Sequence, residues 1–388
     1  MINLRSTGIN LRSTGNERRS TGTKRRSTAA AGAAALALVI SASCTGGIAQ
    51  AEPTATTAAA AAPVQRATPL APTGDITPIH DPALIKDGGV WYVFSTGYIK
   101  REQGGTIRIA TSRDRGRTWK SAGSVWDEIP AWIDRHYADA GKTLPENLWA
   151  PEIVKHGGTY YLYYSASTFG GNDSITALAT NTTLDATDPD YRWVDRGTVV
   201  TSPAANLSGT ANLEFNAIDA GVISDRAGKP WMAIGSFWNG IFVVPLSWPS
   251  GKPVKGWRAK AVQLAERPGV QFDPIEAPYP VRHGKYYYLF TSWDFCCRGA
   301  DATYKIAVGR STQVTGPFRD KTGALLLDGG GTVLLQGQGK RAGAGGQSVS
   351  KNTLAYHYYD GANRAAPYIP TLGLKRIRWT NGWPTLSK

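Results

Sequence analysis

The sequence predicts an all-β fold, a five-bladed β-propeller, and three observations carry that reading. One phrase recurs five times, each copy has the period-2 pattern of a hairpin, and the copies are spaced by the length of a blade. The copies read HDPALIKDGGVWYVFS from His80, APEIVKHGGTYYLYYS from Ala150, AIDAGVISDRAGKPWMAIGS from Ala217, EAPYPVRHGKYYYLFTS from Glu276 and GGQSVSKNTLAYHYYD from Gly345. With Asp81, Glu152, Asp219, Glu276 and Gln347 taken as equivalent, the intervals are 71, 67, 57 and 71 residues. A sandwich or jelly roll would also show many strands, but nothing in it requires an acid to return at one phase of such a period.

Within each copy, β-branched and aromatic residues alternate on either side of a turn that contains glycine in the first four and Lys-Asn in the fifth, which specifies two antiparallel strands. A third strand follows most hairpins, as TIRIATS from Thr106, ITALATN from Ile175, GIFVVPL from Gly240 and YKIAVGR from Tyr304. A Trp- or Phe-bearing segment beyond it completes a four-stranded sheet. No stretch of the repeat region shows helical periodicity.

Composition bounds the rest. The 388 residues are 41% hydrophobic and 19% charged, which excludes a disordered chain, and 44 glycines without a Gly-X-Y period exclude collagen. No apolar run is long enough to span a bilayer; the longest is the alanine-rich stretch from Ala29 to Ala42. That run follows a basic leader that repeats INLRSTG with variations, and Ala49-Gln50-Ala51 supplies a small-x-small cleavage site. Residues 1–51 are therefore read as a signal peptide with a basic repeat leader, 52–75 as an Ala/Thr/Pro linker and 76–388 as the propeller. Export by the general or the twin-arginine route (Arg25-Arg26) is expected, with a lipid anchor on Cys44 as the alternative to a freely secreted protein.

The formal charge of +14 falls to +8 once the leader's seven Lys/Arg and one Glu are set aside, and the remaining cations are scattered. Nucleic-acid binding is not expected from such a surface, whereas attraction to an acidic polymer such as pectin is compatible with it. No membrane association is expected after cleavage, and a monomer is expected. Only Cys296 and Cys297 lie beyond the leader, so no disulfide framework supports the fold.

The chemistry is expected where the blades' first strands begin, because residues that open those strands converge at one mouth of the axis. Four of the five phased positions are carboxylates. A single Asp before a strand is ordinarily a turn acceptor. Several carboxyls held together cannot all ionise normally, so their pKa values separate and one site holds both an acid and a base. Paired carboxyls among aromatic platforms point to glycoside hydrolysis. The residues alone leave open whether Glu152 or Asp219 is the third acid.

HDPALI, LWAPEIVKHGGTYYLYYSAS, NAID, GSFWNGIF, IEAPY, FCCRG, YKIAVGRS, GPF and YHYYDG stand in this order over residues 76–388. As an ordered set they resemble glycoside hydrolase family 43, and within it the secreted bacterial endo-1,5-α-L-arabinanases. The resemblance implies an inverting hydrolase of internal linkages in arabinan, a pectin side chain. It implies Asp81 as catalytic base, Glu276 as general acid, and Asp219 as the carboxylate that raises the pKa of the acid and orients it. Trp149 and Phe169 resemble the aromatic walls of the family's sugar sites, with Trp238, Asn216 and His80 as further contacts and His357 as either a contact or an inner-strand histidine. Exo-acting arabinofuranosidases or β-xylosidases share the scaffold, and a carbohydrate-binding propeller without catalysis is a third reading. Two departures stand out. Many arabinanases read GPGH in the fifth blade, with the His near a bound calcium; here Gly346-Gln347 offers no imidazole, so no cofactor is expected and a structural calcium is in doubt. Glu152 replaces the frequent Asp of WAPD.

Overall fold

The computed structural model describes residues 70–202, 215–362 and 369–387, so the leader, Cys44 and most of the linker lie outside the described residues. Five sheets, each drawn from one contiguous stretch of chain, surround an axis. The first has strands Ala83–Asp87, Val90–Ser95, Arg108–Ser112 and Thr118–Ser124. The second has Leu148–His156, Thr159–Ala166, Ile175–Asn181 and Val194–Thr201. Gly221–Ser224, Pro230–Ile234, Ile241–Ser247 and Val262–Ala265 form the third, with Lys252–Pro253 as a short extra edge. Ile275–His283, Tyr286–Trp293, Lys305–Ser311 and Thr332–Gln336 form the fourth. Arg341–Ser350, Thr353–Asp360, Pro370–Thr380 and Trp383–Leu386 form the fifth. The first strands of successive blades pack on one another around the ring, the last against the first.

The hairpins obey the turn chemistry read from the sequence. Gly88 and Gly89 have φ of +53° and +83°, the pair of left-handed conformations that a tight two-residue hairpin needs, and Gly157-Gly158 repeats it. Five apolar clusters fill the five gaps between neighbouring blades. Phe94, Tyr164 and Trp193 lie in the cluster between the first and second blades, and Trp119, Leu372 and Leu374 in the one between the first and fifth. Each blade thus has both faces covered without needing a disulfide.

Three features differ from the expectations. Thr73–Gly74 pairs in parallel with Thr118-Trp119, so the last residues of the segment read as linker belong to the first sheet. A helix, α1 (Ala131–Asp139), stands between the first two blades; it buries Ile133 and Tyr137, one turn apart, a signal too short to outweigh the surrounding strands. The phase of the repeat is also shifted. Left-handed residues recur at Asp81, Ala150, Asp219, Ala277 and Gly346, at intervals of 69, 69, 58 and 69 residues. These are the equivalent positions. Asp81 and Asp219 occupy the left-handed residue itself, Glu276 precedes it by one and Glu152 follows it by two, so the acids leave the axis in different directions. Register shifts at this level in the second, fourth and fifth blades show the same break in the ladder.

The ring closes without exchanging a strand. Ile79 N–H donates to Pro370 O, Leu372 N–H to Ile76 O and Leu84 N–H to Ser348 Oγ, which in turn donates to Pro82 O. The segment that carries Asp81 is therefore sewn directly to the fifth blade.

Candidate active site

A narrow axial cavity of about 30 Å³ opens where the five left-handed residues converge, and Asp81, Glu152, Asp219, Tyr279, Gln347 and Ser348 contribute to its wall. Asp81 is held from three sides. Its Oδ2 accepts from His80 Nδ1 at 2.6 Å and from Thr96 Oγ1 at 2.8 Å, and its backbone N–H donates to His357 Nδ1 at 3.2 Å. About 20% of the Asp81 side chain stays exposed. Burial opposes its charge, but the charge and hydrogen bond of His80, with that of Thr96, outweigh burial and pull the carboxyl down to about 2. Burial also works against the His80 cation, yet Asp81 and, more distantly, Glu276 raise its pKa above the ordinary value.

Glu276 and Asp219 form the opposite case. Glu276 is 8% exposed and its Oε2 accepts from Ser236 Oγ at 2.7 Å. Burial raises its pKa, against the pull of hydrogen bonds from Ser236 and Tyr304 and with the help of the Asp81 charge. Asp219 Oδ2 accepts from Ala277 N–H at 2.9 Å, and burial followed by the charges of Glu276 and Asp81 lifts its pKa well above normal. The mouth thus sets Asp81, held toward its ionised form, beside Asp219 and Glu276, which burial holds toward their protonated forms.

Glu152 belongs to the axis but is closed off. It is 1% exposed, faces Val222 N–H and Tyr279, and burial pushes its carboxyl up to about 8. Gln347 takes the place where an imidazole is expected from the family pattern, and both ends of its amide hold protein partners: Oε1 accepts from Ser292 Oγ and Nε2 donates to Ala277 O, each at 2.7 Å. Donor atoms of His80, Asp81 and His357 lie within 4.8 Å of one another. Most are engaged with each other or with Tyr359, Thr96 and the Asp81 amide, and two of the three residues are imidazoles, a poor match to the six to eight oxygens that calcium takes.

The remaining residues named from the sequence are spread around the mouth. Trp149 is half-buried and donates from Nε1 to Asn147 Oδ1 at 2.8 Å. Phe169 and Trp238 stand on the connections after the second strands of the second and third blades, 82% and 41% exposed. Asn216 is buried, and its Oδ1 accepts from Ser174 Oγ at 2.6 Å. His357 is fully buried, stacked on His80 at 3.8 Å, and its Nε2 has no protein partner among the described residues. Sequence reasoning missed Thr96, Ser236, Ser292 and Tyr304. The first three share a signal: each stands at the end of a blade's second strand, and each hydroxyl donates to an axial residue, Asp81, Glu276 and Gln347 respectively.

A five-bladed ring whose mouth gathers one carboxyl held toward its ionised form and two held toward their neutral forms is the architecture of a glycoside hydrolase. Residues 76–384 match the model of glycosyl hydrolases family 43, and the chain belongs to that family. It is 37% identical over 322 residues to the extracellular exo-α-(1→5)-L-arabinofuranosidase ArbA of Cellvibrio japonicus, covering 80% of this chain and 86% of that one. It is likewise 37% identical over 308 residues to the extracellular endo-α-(1→5)-L-arabinanase 1 of Bacillus subtilis, covering 79% and 87%. Among solved structures, the family 43 endo-arabinanase of Bacillus licheniformis superposes with a TM-score of 0.70 at 37% identity, over 81% of this chain and 98% of that one.

Proposed function

We propose that the protein hydrolyses internal α-1,5-L-arabinofuranosidic linkages of arabinan with inversion at the anomeric carbon. The observation that carries the reading is the division of labour among the carboxyls: Asp81 is held ionised while Glu276 is held toward its protonated form. The family and the arabinan-cleaving relatives support the substrate class.

In this mechanism Asp81 takes a proton from water as the water oxygen attacks the anomeric carbon. The bond from the anomeric carbon to the glycosidic oxygen breaks and Glu276 gives that leaving oxygen its proton, so the net change is addition of one water and the two carboxyls exchange protonation states until solvent resets them. Asp219 shares one buried site with Glu276, so the two carboxyls cannot both ionise freely, and it holds the adjoining peptide through Ala277. Phe169 and Trp238 offer ring faces on which furanose units stack. No step requires a resident metal.

We also read the protein as secreted, in line with the extracellular relatives, and as a monomer. An exo-acting relative is as similar as an endo-acting one, so product analysis on linear arabinan decides the mode. Oligosaccharides appearing before arabinose support endo cleavage, and arabinose alone from the start overturns it. NMR of the first product tests inversion.

A further inference from the structure

The vicinal pair Cys296–Cys297 is bonded in a disulfide on the connection between Tyr286–Trp293 and Lys305–Ser311. A disulfide between adjacent residues joins no two distant segments, so it does not constrain the unfolded chain as a long-range bridge does. Its surroundings suggest another role. Cys297 N–H donates to Tyr359 Oη at 3.2 Å, and Tyr359 Oη lies 2.9 Å from His80 Nε2. His80 Nδ1 then donates to Asp81 Oδ2, and Cys297 Sγ stands 3.8 Å from His80 Nε2.

We propose that Tyr359 and the Cys296–Cys297 loop are positioning residues for the base: they fix the His80 ring, and the His80 ring fixes the Asp81 carboxylate. Tyr359 Oη, itself held by the Cys297 amide, sits 2.9 Å from Nε2 and fixes the ring so that the Nδ1 proton is directed to Asp81 in either charge state of His80. The loop is anchored on both sides to hold that amide in place. Asp294 N–H donates to Pro274 O, Thr303 N–H donates to Phe295 O, and Cys297 itself adopts a left-handed φ of +61°. Tyr359 is 2% exposed, so solvent does not replace its hydroxyl readily. The inference rests on the reading of Asp81 as base.

The groups facing His80 are Asp81 on its own segment, His357 and Tyr359 from the fifth blade, the cysteine pair, and Glu276 at longer range. In Tyr359→Phe the ring packing is kept and only the hydroxyl is lost. The kcat should fall about five- to tenfold, the size of one hydrogen bond. The acid limb of the kcat/KM profile should move up by roughly half a pH unit, because a loosened His80 stabilises the Asp81 anion less. Reduction of the native enzyme with a dithiol, verified by thiol titration, should move the same limb in the same direction. An unmoved limb in Tyr359→Phe, or in the reduced enzyme, overturns the proposal. Asp81→Ala separates the two readings: full turnover in that variant removes the base assignment itself, whereas an inactive Asp81→Ala with unmoved limbs above overturns only the positioning role.

Discussion

Asp219 grips the amide of Ala277, the residue directly after Glu276, at 2.9 Å from Oδ2. Asp219 therefore fixes the backbone from which Glu276 projects, while its own pKa is lifted by burial and by the Glu276 charge. The two can be separated. Asn at 219 can still accept the Ala277 proton through its amide oxygen but carries no charge.

In Asp219→Asn, Glu276 no longer shares its buried site with a second ionisable carboxyl, so its pKa should fall. The basic limb of the pH profile should shift down, and turnover of arabinan at neutral pH should drop. An aryl arabinoside, whose leaving group scarcely needs protonation, should lose far less. Asp219→Ala removes the grip as well and should lower both substrates. Equal losses on both substrates in Asp219→Asn, with the basic limb in place, would assign Asp219 to positioning alone.

Glu152 makes stability depend on pH in the sense opposite to an ion-paired carboxylate. Its pKa rises from 4.5 to about 8 on folding because burial disfavours the charge, so the folded state holds a proton that the unfolded state releases. Its contribution is complete below about pH 4.5 and is lost as pH climbs through 8, with a limiting slope of about 1.4 kcal/mol per pH unit. Glu152→Gln should flatten this slope. Denaturant midpoints of the two proteins at pH 5 and pH 8 measure it, and parallel pH dependences would show that Glu152 is not buried as a neutral acid.

Gly346 cannot carry a side chain. It has φ of +58°, and a methyl group there would overlap Asp81 Oδ1 and lie 2.6 Å from His357 Nδ1. Gly346→Ala should cost about a hundredfold or more in kcat, because displacement of a base by even an ångström is expensive. Its unfolding midpoint should fall less markedly. Wild-type turnover would mean that the contact is not maintained in solution.

Chelation gives a fourth test. The Gln347 amide is engaged at both ends where the family pattern has an imidazole, so exhaustive treatment with EDTA should leave activity within about twofold. Complete loss restored by calcium alone would place a functional cation at this axis.

The blade count and hairpins were legible because period-2 alternation and glycine turns are local properties, readable within a few residues. The phase was not. Asp81, Glu152, Asp219 and Glu276 look interchangeable as acids near strand starts, but the left-handed residue that aligns the blades is Ala150 in the second and Ala277 in the fourth, and alanine gives no sign of positive φ. Thr96, Ser236 and Ser292 lay in plain view at strand ends, yet the hydroxyls meet their carboxyl and amide partners only after the sheets are ringed. Tyr304 and Tyr359 were hidden in another way, since a tyrosine in or next to a strand reads as core until its hydroxyl is seen to face a charge.

The closure of the ring has a consequence for timing. Asp81 comes from the first blade, while His357, Tyr359 and Gly346, which shape its surroundings, come from the fifth. A ribosome delivers the first long before the others. With Asp81 read as the base, a nascent chain that lacks the fifth blade lacks the surroundings of its base, so hydrolytic competence is expected only once the final blade has docked, and its appearance would serve as a clock for that step.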